Sequence, residues 1–113
     1  MNVSDILSMV RVHLADTAKT RWSDPKLLHY FAGAVHEAAE LRSDLLLTDH
    51  GLMTLQEEFD ATDTLDWPLA TRLPLVMLTT AAALQEDSDD RTNLERASTY
   101  RSTALAGLTG DRK

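Results

Sequence analysis

TAKTRWSDPKLLHYFAGAVHEAAELRSDLLL, residues 17–47, holds a helix start, an apolar face and a helix exit in one run. Ser23 can cap a helix N-terminus, its hydroxyl accepting one of the N–H groups that the first turn leaves unbonded. Asp24 places negative charge at the positive end of the helix dipole. Pro25 fits the first turn, where its missing N–H would have had no helical partner. Leu27, Leu28, Phe31, Val35, Ala38 and Leu41 then recur three to four residues apart, so one face of the segment is apolar. Ser43-Asp44 ends the pattern. The predicted helix spans about residues 24–42.

The same reasoning extends outward. Val3, Ile6, Leu7, Val10 and Leu14 form a helical stripe, with Ser4 as the expected N-cap and the helix running to about Asp16. A third helix is expected over 71–86, with Pro74 in its first turn and Leu75, Leu78, Ala82 and Val76 or Met77 inward. A fourth is expected over 90–107, its side marked by Leu94, Ala97, Arg101, Ala104, Leu105 and Leu108, a stripe short of bulk. Asp87-Ser88-Asp89-Asp90 separates the two and places acid at the fourth helix's N-terminus. Residues 44–67 lack helical periodicity. Asp49-His50-Gly51 is a turn signal, and Asp and Thr crowd 60–66, so a loose hairpin or extended loop is expected. Trp67-Pro68 restricts the chain to extended geometry before the third helix. The predicted fold class is therefore all-α. It is a four-helix bundle-like domain over 1–108, with a long central loop or hairpin between helices 2 and 3 and a polar tail at 109–113.

Composition narrows the function. One domain of 113 residues has a thin core, and with 5% aromatic residues that core must be built from Leu, Val, Met and Ala. No stretch approaches the roughly twenty apolar residues that span a bilayer, and MNVSDILSMV has no signal-peptide pattern, so no membrane partner is expected. Without cysteine there are no disulfides or thiolate metal sites. The net charge is −7, and it is unevenly spread. Between residues 37 and 66 nine carboxylates face only Arg42, whereas from Arg91 onward five basic residues oppose two acidic ones. Such a chain repels a phosphate backbone over most of its length. The acidic middle reads as a solvated surface or as one past which DNA slides without sticking.

Motifs for chemistry are incomplete. His36-Glu37-Ala38-Ala39-Glu40 has the frame of a zinc-binding helix, but Glu40 replaces the second histidine. Asp87-x-Asp89 opens like a calcium loop, yet Arg91 and Thr92 stand where an oxygen ligand and a glycine belong. Gly51 and Gly110 are isolated, and no serine has a nucleophile-elbow context. A helix-turn-helix reading of helices 3 and 4 would set Asp87, Asp89 and Asp90 against phosphates. No catalytic, metal or cofactor residues are expected, and the chain reads as a non-enzyme. Trp22 and Trp67, each just before a helix, read as core-edge packing or as interface anchors toward a neighbouring subunit or the tail.

Thr20-Arg21-Trp22-Ser23-Asp24 leading into a helix, Thr64-Leu65-Asp66-Trp67-Pro68 closing the central loop, and an apolar helix followed by 86–90, Asn93 and a helix carrying Tyr100 together resemble the head-to-tail adaptor (connector) proteins of tailed bacteriophages. The resemblance covers roughly residues 4–108. It implies a virion structural protein in the neck between capsid and tail, assembled in the host cytoplasm. Such adaptors form a homo-oligomeric ring, usually of twelve copies, beneath the portal protein, and each subunit is a helical bundle with a projecting central loop. The ring extends the channel through which genomic DNA passes without specific binding, and it docks the tail or nozzle protein. On that reading Tyr100, Arg101, Leu105, Leu108, Arg112 and Lys113 would attach to the portal. Glu57, Glu58, Asp60 and Asp63 would line the DNA channel or face solvent. The competing expectation is a small acidic helical interaction module, regulatory or antitoxin-like.

Overall fold

The computed structural model describes residues 1–16, 21–48, 51, 52, 54–86 and 91–109. Four α-helices lie in the predicted order: α1 Val3–Leu14, α2 Asp24–Leu41, α3 Arg72–Glu86 and α4 Arg91–Thr109. Single 3-10 turns occupy Ser43–Leu46 and Leu69–Thr71, and a minimal antiparallel ladder joins β1 Leu47–Thr48 to β2 Gly51–Leu52. The all-α class and the four helices match the sequence reading. The body measures 44 × 34 × 19 Å, so its thin dimension is about two helix diameters.

α3 is the central element and packs against each of the other three helices. That position explains why residues 79–84 are apolar nearly all round. Thr79 and Thr80 are buried there, and their hydroxyls donate to the carbonyls of Leu75 and Val76, at 2.8 and 2.7 Å, so no polar atom is stranded. Ala82, expected inward, is only half-buried, and Ala83 takes the inner place. In α1 and α2 the predicted stripes are buried, except that Leu28 is half-buried and Leu41 is exposed at the end of its helix.

Helix ends differ in detail from expectation. Ser23 caps α2 as predicted, accepting from the Lys26 N–H at 3.3 Å. α1 begins one residue before Ser4, and its cap position is Asn2, whose extended backbone pairs with Thr64. The helix stops at Leu14 because Ala15 turns left-handed, φ 56°, while the N–H groups of Ala15 and Asp16 return to the carbonyls of Val12 and Arg11. This is a Schellman ending with alanine where glycine is the unstrained choice.

α4 corrects the view of a weak stripe. Ala97, Ala104 and Leu108 face inward, and a Cβ added at Gly107 would meet Pro74 Cγ at 3.3 Å. Small residues on this side let α4 approach α3 closely, so the missing bulk marks tight packing and not a spare binding face. Leu108 is 1% exposed and belongs to the core. It is therefore not free to fill a partner's groove, and a truncation after Ala104 would open the core.

The central segment does not project as a whole. Phe59, Leu65 and Trp67 are buried, and the Phe59 ring packs edge-on against Phe31 of α2 at 5.2 Å. The N-terminus pairs with it like a strand: Val3 N–H donates to the Asp63 carbonyl at 3.0 Å, and Leu65 N–H to the Met1 carbonyl at 2.8 Å. Apolar side chains every few residues pull 59–67 onto the body. Ahead of the short ladder Leu45 is buried and Leu46 half-buried, while Leu47 is exposed. The acidic linker 87–90 and the turn residues Asp49 and His50 lie outside the described residues.

Candidate functional site

Two places concentrate charge, and they are built oppositely. The first is the junction of α1 and α2. Arg11, on the inner face of α1, is 4% exposed, and Asp16 is 2% exposed. The Arg11 guanidinium donates to Asp16 Oδ2 at 3.1 Å, to the Trp22 carbonyl at 2.9 Å and to Asp24 Oδ1 at 2.5 Å. Asp16 also accepts from the backbone N–H groups of Arg21 and Trp22. A charge buried this deeply needs several partners, because its desolvation cost is otherwise uncompensated. The junction is structural: it fixes the Trp22 backbone and the entry to α2. Sequence reasoning passed over Arg11. The available signal was its place on the apolar side, next to Val10 and four residues after Leu7, with Asp16 and Asp24 downstream.

The second place is a cleft of ≈ 300 Å³ between the first half of α2 and the 57–60 turn. Pro25, Leu28, Ala32 and Phe59 supply its apolar lining, and His29, Glu57, Glu58 and Asp60 the polar part. The spacing 25, 28, 29, 32 puts four of these residues on one face of α2. The turn opposite is held from within. His36 Nε2 bonds the Gln56 carbonyl at 2.9 Å, and since a carbonyl only accepts, that nitrogen carries the proton. Gln56 Nε2 donates to the Glu58 carbonyl at 2.8 Å and to Asp63 Oδ2 at 3.0 Å, and Asp63 also accepts from the Asp60 N–H at 2.9 Å. Asp63 is thus a brace of the turn and is itself half-buried. Glu57, Glu58 and Asp60 are exposed. Among the described residues none of their carboxylates meets a cation.

The remaining predicted residues are scattered. Trp22 and Trp67 are each 5% exposed and lie in the core, which is the packing reading and leaves little of either ring for a neighbour. The Trp67 indole N–H is buried and has no hydrogen-bond partner among the described residues. Tyr100 OH is 3.1 Å from His13 Nδ1, and its ring packs edge-on against that imidazole. Arg101 forks onto Glu37 of α2, and this hydrogen-bonded pairing raises the guanidinium pKa above its ordinary value. Leu105 is half-buried against the core. Tyr100, Arg101, Leu105 and Leu108 thus knit α4 to the bundle and do not form one free patch, while Arg112 and Lys113 lie outside the described residues. Tyr30 donates to Glu86 Oε1 at 3.0 Å. Burial first, and then that bond and the carboxylate's charge, push its hydroxyl up to about 12.

Glu40 is exposed, and the His36 ring is turned to the Gln56 carbonyl. Among the described residues no three His, Asp or Glu side chains converge as metal ligands, and no helix is long and apolar enough to cross a membrane. No protein-family profile matches the chain, and neither a curated protein nor a solved structure is similar to it.

Proposed function

We propose that the chain is a non-enzymatic virion structural protein, a head-to-tail adaptor that joins a ring beneath a portal and docks the next tail component. The observation that carries this reading is the order of parts. An Arg-Trp-Ser-Asp step leads into α2, a long segment closes through Leu-Asp-Trp-Pro, and two packed helices follow. That order accompanies a thin body and an acidic run of sequence at 37–66, whose exposed carboxylates repel passing duplex DNA. Large apolar side chains left in solvent, Val12, Leu47, Leu69 and Leu73 among them, offer the subunit contacts that a ring needs.

The runner-up, a small acidic module that binds one protein partner, is favoured by the cleft beside α2. The two readings separate on assembly. An adaptor makes heterologous contacts, one patch against a different patch, and closes a ring only with its portal present. The deciding experiment removes the protein from an assembling virion system and images the products. DNA-filled heads without tails, restored by adding the purified chain, are the expected result. Tailed, infectious particles without it would end the adaptor reading.

A further inference from the structure

We propose that the cleft between α2 and the 57–60 turn is a docking site for a cationic, apolar-anchored segment of another protein: a leucine-like side chain flanked by lysine or arginine. This goes beyond the adaptor role and holds for any partner of that chemistry.

Three observations carry it. The floor is apolar, with Pro25, Leu28, Ala32 and Phe59, so an apolar side chain entering it releases water from both surfaces. The mouth carries Glu57, Glu58 and Asp60, exposed and without cations among the described residues, whereas Asp16, Asp24, Glu37 and Asp44 meet arginines of this same chain. Opposite charge supplied from outside complements that rim and favours encounter. The turn is also preformed. Phe59 against Phe31, His36 on the Gln56 carbonyl and Asp63 on the Asp60 N–H hold the wall in place, so little ordering is needed on binding. A surface meant only to repel DNA needs the acids but not the apolar floor.

A second copy is a poor occupant. Among the described residues Arg11, Arg42 and Arg101 are paired with carboxylates, Arg96 donates to the His13 carbonyl, and the Arg21 guanidinium lies 4.6 Å from the centre of the Trp22 ring. Lys26 and Arg72 are the described basic side chains outside these contacts, and they stand on separate helices, α2 and α3. Among the described residues no pair of cations therefore flanks one apolar side chain, and a different protein fits better.

The test titrates the full chain with a synthetic amphipathic helix that has a leucine face flanked by lysines, followed by backbone amide shifts. Shifts confined to residues 25–32 and 56–60 are expected. Glu57→Lys with Glu58→Lys should weaken binding at least roughly tenfold, as should Leu28→Gln, while circular dichroism stays unchanged. Reversing the same charge away from the cleft, Glu40→Lys with Asp66→Lys, should leave affinity within about twofold. A peptide keeping its lysines but with serine for leucine should bind at least roughly tenfold more weakly. Shifts spread over the whole acidic surface, or equal weakening by the distant reversal, would overturn the site. Self-association by sedimentation that Glu57→Lys with Glu58→Lys abolishes would replace the foreign partner by a second copy and overturn the proposal as stated.

Discussion

The α1/α2 junction and the 57–60 rim contain the same chemistry, carboxylates close together, and treat it in opposite ways. At the junction Asp16 is buried and Arg11 answers it, with backbone N–H groups filling its remaining acceptor sites. At the rim Glu57, Glu58 and Asp60 stay in water, and nothing in the fold compels a partner. Burial forces neutralisation locally because the interior cannot solvate a charge. Exposure leaves charge unspent, and so available to something else. A saturated network tells how the chain folds, and an unsaturated one beside an apolar hollow tells where it can bind.

The sharpest way to break this contrast is to remove the cation at the junction. Arg11→Ala strands buried Asp16 and should cost about 4 kcal/mol in denaturant unfolding. A loss below about 1 kcal/mol would mean that the junction is as solvated as the rim, since exposed pairs are worth no more than that. Next is the wall between the two regimes. Phe59→Ala deletes the aromatic anchor of the turn and should cost about 3 kcal/mol, with amide exchange faster through 54–60. Unchanged exchange there would show that the hydrogen bonds of His36 and Asp63 hold the turn without it.

Smaller effects sharpen the picture. Ala15→Gly relieves the left-handed strain that ends α1 beside Asp16, and a gain of about 0.5 kcal/mol is expected. A loss would mean that the ending is set by the network and that glycine's added unfolded-state freedom outweighs the relief. For Tyr30 the sign follows from its raised pKa. The folded hydroxyl keeps its proton to about 12, while the unfolded one releases it near 10. The associated stability is fully present below pH 10 and is lost as pH rises from there through 12. Tyr30→Phe should flatten that part of the stability profile, and an identical slope in the variant would remove the Glu86 contact from the account. Least of all, Glu57→Lys with Glu58→Lys should move stability by no more than about 0.5 kcal/mol, because exposed, unpaired charges contribute little. A larger loss would show that the rim is structural after all.

How far the sequence could be read depends on the range of each interaction. The stripe Val3, Ile6, Leu7, Val10, Leu14 and the Ser23-Asp24-Pro25 start are local patterns, and the structure keeps them as helices with buried faces. The 57–60 acids were also legible as exposed charge, though not as the rim of a cleft. Phe59, Leu65 and Trp67 gave no periodic signal, because each is anchored by a residue distant in sequence: Phe59 by Phe31 of α2, and the backbone before Trp67 by Met1 and Val3. α4 misled for a different reason. Periodicity reports which residues are apolar, and it says nothing of how closely two helices approach, so the side marked by Ala97 and Ala104 looked short of bulk.

By itself the sequence determined the helices, their order, the position of the long connection and the sign of the charge along it, since helix starts, apolar spacing and titratable side chains act within a few residues. Only the tertiary structure decided which charges were spent and which were left. Arg11 became a buried hub because α1 and α2 meet at that point, and Glu57, Glu58 and Asp60 came to surround an apolar hollow because Phe59 folds back onto Phe31. Both outcomes rest on burial, which belongs to the packed chain as a whole and to no segment of it.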